Sequence, residues 1–308
     1  QSGGSAVVLV RAEVRCLAVM VGRAALAPRV LCLGGAWVDG LGPRGGDPAT
    51  AAAESWDDRW GGAPANVACA LARLGTPVGL IARLGEDAIG AEFLELFQRR
   101  GVGVQAIQSD PSRPSRVVLV RRDANGERVF QGFAGDQSLG FAEQMMDRAE
   151  LEAVGPGVSE QARWLLMGTI PLATPASAET LHWLLAQAKT AGISLALDVN
   201  WRPTFWDVQA DPAAGPDPSA LAAMEPLLDQ VALLKLAREE ALWLFDSDDP
   251  SAIRASLPQH PDVVVTDGGN PVRWTIAGHA GTMPVLTPAR VVDTTGAGDA
   301  FTAGLLHQ

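Results

Sequence analysis

Short runs of Val, Leu and Ile recur along the chain, each followed by a stretch whose apolar positions fall three and four residues apart. The runs at 29–33 (RVLCL), 78–83, 164–167, 194–198, 231–235 and 262–266 (DVVVT) are continuous rather than alternating. That pattern predicts strands buried on both faces. Between them, 65–74 (ANVACALARL) predicts a helix stopped by Gly75, 87–100 a helix closed by Gly101, and 176–190 a helix before Gly192. The run at 231–235 leads into another helix reaching residue 245. Strands alternating with helices predict parallel βαβ units, an α/β fold with a mostly parallel central sheet. One segment departs from this rhythm. Residues 116–121 (RVVLVR) and 127–133 (ERVFQGF) flank Asn125-Gly126, a hairpin turn signal. An antiparallel hairpin inside a parallel pattern predicts a small β subdomain, such as a lid. The Gly/Pro-rich stretch 34–60 is expected to be a long functional loop. No internal repeat is evident.

Composition narrows the class. The 308 residues are 47% apolar and 19% charged, enough for a sizeable core in one large or two modest domains. The 33 Gly and 21 Pro fit many turns between short elements. With 24 basic and 35 acidic residues, net −11, a broad nucleic-acid or anionic-membrane surface is not expected. An anionic substrate must then be held by backbone amides and a few Arg. Lysine is confined to Lys189 and Lys235, and neither follows a glycine, so the Walker A loop is excluded. These two are also the only candidates for Schiff-base chemistry. Cys16, Cys32 and Cys69 are odd in number and unpatterned, reading as core residues of a chain in a reducing, cytoplasmic compartment. The four scattered histidines and the lack of CxxC or HExxH argue against a zinc site.

Residues 6–28 are apolar but interrupted by Arg11, Glu13, Arg15 and Arg23, so they form no membrane span. The seven clean apolar residues from Cys16 to Gly22, preceded by Glu13, make a poor signal peptide. Residues 1–28 are expected to be an extension or artefact outside the fold, with an Arg-rich transit peptide as the alternative.

The string Asp293-Thr294-Thr295-Gly296-Ala297-Gly298-Asp299-Ala300-Phe301 carries the strongest chemistry. A Gly-Ala-Gly turn opening a helix leaves first-turn N–H groups free, and these with the helix dipole attract an anion. Asp299 then sits beside whatever those amides hold. An anion hole next to a carboxylate suits phosphoryl transfer, with the amides stabilising charge and the carboxylate taking a hydroxyl proton. Gly61-Gly62 before a helix allows close approach of a ligand to the backbone. Asn66 offers a donor and an acceptor to a sugar hydroxyl, although a tight turn with Asn as a local cap is the alternative. Gly101 to Ala106 matches GxGxxA but follows a helix, the wrong context for a dinucleotide site. Trp56, Trp60, Trp201 and Trp206 are read as packing residues by default, with stacking on sugar or base as the alternative.

The string DTTGAGDAF resembles the C-terminal signature of the PfkB/ribokinase family of carbohydrate kinases. GGAPANVA (61–68) is similar to that family's N-terminal helix start, DVNWRPTFW (198–206) to a stretch of fructokinases and 2-keto-3-deoxygluconate kinases, and VTDGG (265–269) to its nucleotide loop. The order and spacing agree from about residue 29 to 308. The resemblance implies a ribokinase-like three-layer α/β sandwich with a small β lid at about 37–60 and 115–134. It implies ATP-dependent phosphorylation of a sugar, foremost fructose, with a sugar-acid kinase as the alternative. A non-catalytic kinase-fold interaction protein is the reading from another class.

By the same resemblance Asp299 is the base and Gly296, Ala297 and Gly298 form the anion hole. Asp39, Gly61, Gly62, Asn66 and Arg202 bind the sugar; Asn200, Thr266, Gly268 and Thr295 face ATP. Asp198 pairing structurally with Arg202 is the plainer alternative. Glu240 matches the glutamate that orients magnesium-bound water, but Ala237 stands where an Asn is often found three residues earlier, and a solvated helix Glu is the alternative. Where fructokinases often carry Glu, this chain has Gly35. ATP and Mg2+ are the implied cofactors, with K+ as a further candidate and a homodimer through the lid as a candidate assembly. Only nine residues follow Asp299, where the family continues for tens. The apolar face of Phe301, Leu305 and Leu306 is therefore expected to lack partners, and the nucleotide pocket to lack a wall.

Overall fold

The computed structural model describes residues 27–44, 57–122, 128–135, 138–286 and 294–307. Most of the expected N-terminal extension, Cys16, Trp56, the 45–56 part of the lid, the Asn125-Gly126 turn and Asp293 lie outside the described residues.

The chain begins with β1 (Val30–Leu33), β2 (Trp37–Arg44), β3 (Asp57–Gly61), α1 (Ala63–Leu74), β4 (Val78–Gly85), α2 (Ala88–Arg100) and β5 (Gly103–Asp110). It continues through β6 (Val117–Arg122), β7 (Arg128–Phe133), α3 (Arg148–Val154), β8 (Trp164–Met167), α4 (Pro175–Thr190), β9 (Ser194–Asp198), α5 (Pro203–Trp206) and α6 (Pro218–Leu228). Then come β10 (Leu233–Ala237), α7 (Arg238–Phe245), α8 (Pro250–Ser256), β11 (Asp262–Asp267), β12 (Asn270–Ile276), β13 (His279–Met283) and α9 (Ala297–His307).

Nine strands form one sheet in the order β13-β12-β11-β10-β9-β8-β1-β4-β5. The seven strands from β11 to β5 are parallel, and β12 and β13 close one edge antiparallel. Continuous apolar runs make this possible: all of β1 and β4 is buried. One face packs Leu33, Met167, Leu197 and Leu234 against Leu181 and Met224 of the helices. The other packs Cys32 and Leu80 against Leu71, Phe93 and Phe97. A second sheet, ordered β3-β2-β6-β7, carries its own small cluster of Trp37, Leu41, Val118 and Val120. This is the lid foreseen from the hairpin, and the stretch read as a long loop supplies two of its strands.

Helix ends follow the chemistry read from the sequence. The Asp87 side chain accepts from Gly90 N–H (2.8 Å) to start α2, and Gly101 closes that helix at φ 77°. Gly101 and Gly103 are thus a helix stop and a strand start, which accounts for the GxGxxA match. The strand read at 231–235 lies two residues later, at Leu233–Ala237.

The expectation that the apolar face of the last helix finds no partners is corrected. Ala303 and Leu306 are buried in one cluster with Val67, Ala68 and Leu71 of α1, with Leu305 packed against it. His307 Nδ1 and Thr76 Oγ1 lie 2.7 Å apart at the end of the same contact. The apolar positions of α1 and α9 face each other, a pairing that neither segment reveals alone.

Candidate active site

The site gathers at the C-terminal ends of the parallel strands, where open α/β sheets bind ligands. Gly62 caps α1 at φ 101°, and a methyl group there would collide with the Gly35 carbonyl oxygen and lie 2.9 Å from Ala36 Cα. A methyl group on Gly61 would stand 3.0 Å from Asp39 Oδ2. The glycine pair therefore lets the end of β3 lie against both the β1–β2 turn and the Asp39 carboxylate. Asp39 Oδ1 also accepts from Trp37 Nε1 at 3.1 Å.

One turn into α1, Asn66 donates from Nδ2 to Asp299 Oδ2 at 2.8 Å. Asp299 lies in the first turn of α9, behind Gly296 at φ 75°. Burial pushes the Asp299 carboxyl above the usual aspartate range. The Asn66 hydrogen bond opposes that shift, Asp198 adds to it, and Lys235 and Arg202 oppose it. The result is a carboxylate with raised proton affinity, suited to accept a hydroxyl proton. Of the three amides expected to form the anion hole, that of Ala297 donates to the Thr294 carbonyl at 3.1 Å. A phosphoryl oxygen would have to share or displace that turn bond. Thr295 is exposed at the entrance to the turn.

Asp198 ends β9, and its partner is not the Arg202 suggested by proximity in sequence. Lys235 Nζ donates to Asp198 Oδ1 at 2.9 Å, and Thr302 Oγ1 donates to Asp198 Oδ2 at 2.8 Å. Arg202 instead donates to the Trp201 carbonyl (2.7 Å) and acts on Asp299 only through its charge. Asn200, between them, takes a left-handed backbone at φ 43°, which Asn tolerates better than most residues.

Glu240 is not a solvated helix residue. It is buried, and its two oxygens accept from Trp201 N–H and Ala237 N–H, each at 2.7 Å. It ties the end of β9 to the start of α7. Burial raises its carboxyl pKa; Ala237 N–H, Lys235 and Trp201 N–H oppose that, and Asp198 adds to it. Thr266 and Gly268 stand at the end of β11, next to β10; Thr266 Oγ1 donates to the Leu236 carbonyl (3.3 Å), and Gly268 turns the chain at φ 52°. Among the described residues no three His, Cys, Asp or Glu side chains cluster as a metal ion would require.

The lid is rooted by residues the sequence reading did not single out. The buried Arg116 guanidinium pairs with Glu143, Nη2 to Oε1 at 2.5 Å, and lies 4.2–4.6 Å from the ring centres of Phe133, Phe141 and Phe205. Trp201 and Trp206 pack on each other, as expected of packing residues. A cavity of about 550 Å3 lies elsewhere, between α3 and α4 along Leu151, Trp183 and Ile193, and holds none of the residues expected at the site.

Comparison with known proteins bears on the family and the fold. Residues 29–308 match the family described as pfkB family carbohydrate kinase. The chain is 30% identical over 290 residues to the probable fructokinase-6, chloroplastic, of Arabidopsis thaliana, covering 92% of this chain and 70% of that protein. It is 32% identical over 250 residues to a fructokinase of Klebsiella pneumoniae, covering 80% and 75%. The crystal structure of a fructokinase with bound ATP from Xylella fastidiosa superposes with a TM-score of 0.73 at 26% identity, over 90% of this chain and 80% of that one. The family match spans nearly all of the described residues, and the chain belongs to the pfkB family of carbohydrate kinases.

Proposed function

We propose that this protein is a fructokinase, transferring the γ-phosphoryl group of ATP to a primary hydroxyl of fructose, with Asp299 as the base. The observation that carries the reading is the Asn66–Asp299 hydrogen bond. It brings the starts of α1 and α9 side by side, which supports reading one as the sugar site and the other as the phosphoryl site. The sugar lies between Asp39 and Asn66, its reacting hydroxyl directed at Asp299, with Arg202 alongside. Asp299 takes the hydroxyl proton as the oxygen attacks phosphorus. The amides of Gly296, Ala297 and Gly298 receive the charge on the phosphoryl oxygens. The second sheet closes over the sugar and excludes water, which limits hydrolysis of ATP.

Asn200, Thr295, Thr266 and Gly268 line the approach of the nucleotide along the strand ends. Among the described residues no cluster of His, Cys, Asp or Glu would hold a resident metal, and magnesium enters as part of the MgATP substrate. Glu240, both oxygens already engaged by amides, faces it only through water. Activation by K+ and a homodimer through the lid belong to the same proposal, read from K+ against Na+ in the assay and from light scattering. No helix among the described residues is long and apolar enough to cross a membrane. Free, buried Cys32 and Cys69 suit the reducing compartment of a cytoplasmic enzyme.

The test is ADP release coupled to a reporter over a panel of sugars. Fructose should give the highest kcat/KM. A sugar acid such as 2-keto-3-deoxygluconate giving the highest value would replace fructose with the sugar-acid reading, for which Arg202 would hold the carboxylate. No ADP release with any sugar would favour a non-catalytic role.

A further inference from the structure

Lys235 lies in the middle of β10, in register with Asp198 of β9, and its side chain is about 10% exposed. Its ammonium bonds Asp198 Oδ1 (2.9 Å), while Asp198 Oδ2 accepts from Thr302 of α9 (2.8 Å). The same Thr302 hydroxyl lies 3.0 Å from the Gly298 carbonyl. A methyl group on Gly298 would stand 3.4 Å from Lys235 Nζ. The ammonium therefore sits directly beneath the first turn of α9. Burial opposes its charge, but Asp198, Glu240 and Asp299 outweigh burial and hold it above the usual lysine range.

A buried ion pair is a poor means of stabilising a fold, since apolar residues of similar volume do as well or better. This pair instead lies under the turn expected to hold phosphate, in a chain with only one other lysine. We infer that Lys235 is a positioning residue for phosphoryl transfer: through Asp198 and Thr302 it sets the seat of the Gly296–Gly298 turn on the sheet, and its ammonium places a fixed positive charge beneath the amides that receive the phosphoryl group. The inference rests on the reading of Asp299 and this turn as the transfer centre. Among the described residues, the groups acting on Asp299 are Asn66 from α1, Asp198 from β9, Lys235 from β10 and Arg202 from the segment after β9. Without Lys235, Arg202 is the one cation left among them.

The experiment compares Lys235→Met, Asp198→Asn, the double variant Asp198→Asn/Lys235→Met and Asp299→Asn with wild type, by steady-state kinetics with MgATP and fructose and by thermal melt. Lys235→Met leaves Asp198 buried and unpaired, so a lowered Tm is expected. The double variant removes both charges, and its Tm should return towards wild type. Its kcat should nevertheless stay down about 10–100-fold, the usual effect of a supporting residue behind a reacting centre, with the KM for fructose changed less than about threefold. In Lys235→Met the acid limb of the kcat/KM profile should move to higher pH, a change that a purely structural role would not produce. Wild-type kcat in the double variant, with Asp299→Asn inactive, would overturn the inference and leave the base assignment standing. Full activity in Asp299→Asn would overturn both.

Discussion

Asn66 Nδ2 lies 2.8 Å from Asp299 Oδ2, joining residues 233 positions apart across the first turns of two helices. The bond favours the ionised form of a carboxylate whose burial pushes its pKa above the ordinary aspartate value. A base with a raised pKa is lost as pH falls through that value, so kcat/KM should fall on the acid side at a higher pH than a solvent-exposed aspartate would give. Asn66→Leu removes the opposing hydrogen bond and should move that limb to still higher pH. A pH profile of kcat/KM for both proteins checks the shift; an unmoved limb would mean that the bond does not govern the base.

The parts of the fold legible in the sequence are those whose pattern is local. Strands β1, β4, β8, β9 and β11 are buried on both faces, so their runs of Val, Leu and Ile mark them within a residue or two. β5 escaped notice because it is an edge strand with mixed burial that opens on Gly103. β13 is polar and largely exposed, and β12 mixes buried, half-buried and exposed positions, so the hairpin has no continuous apolar run to reveal it. At the site, the glycine-opened helices were legible because the backbone there needs residues that tolerate positive φ. The Asp198–Lys235 and Asp198–Thr302 contacts span 37 and 104 residues and depend on strand register and helix docking. The one local signal was a lysine inside the apolar run LLKLA.

Gly62 and Gly75 bracket α1 and both have positive φ, 101° and 92°. Nothing lies within 4 Å of a methyl group placed on Gly75, whereas one on Gly62 meets the β1–β2 turn. Gly75→Ala should cost only the left-handed backbone, about 1–2 kcal/mol. Gly62→Ala adds overpacking of about 1–3 kcal/mol and displaces the turn leading to Asp39, so the KM for sugar should rise as well. Chemical denaturation and sugar titration of the two variants separate these effects; equal losses of stability with unchanged KM would show that the close approach at Gly62 carries no weight.

The Arg116–Glu143 pair is buried at the root of the lid among three Phe rings. Arg116→Met alone leaves the Glu143 carboxylate buried without its partner and should destabilise the fold by about 3–5 kcal/mol. Arg116→Met/Glu143→Met removes both charges and should recover most of that loss. Urea melts of the single and double variants report the difference. A double variant as unstable as the single one would place the stabilisation in the guanidinium–ring contacts rather than in charge balance.

The central claim is that Asp299 is the base of a sugar kinase, and Asp299→Asn tests it most directly. Asparagine keeps the shape and the contact with Asn66 but cannot accept the hydroxyl proton. Turnover of MgATP with fructose should fall about 10²–10⁴-fold, the usual cost of removing a general base, while calorimetric Kd for fructose stays within about threefold of wild type. A variant that keeps more than half of the wild-type kcat would contradict the account.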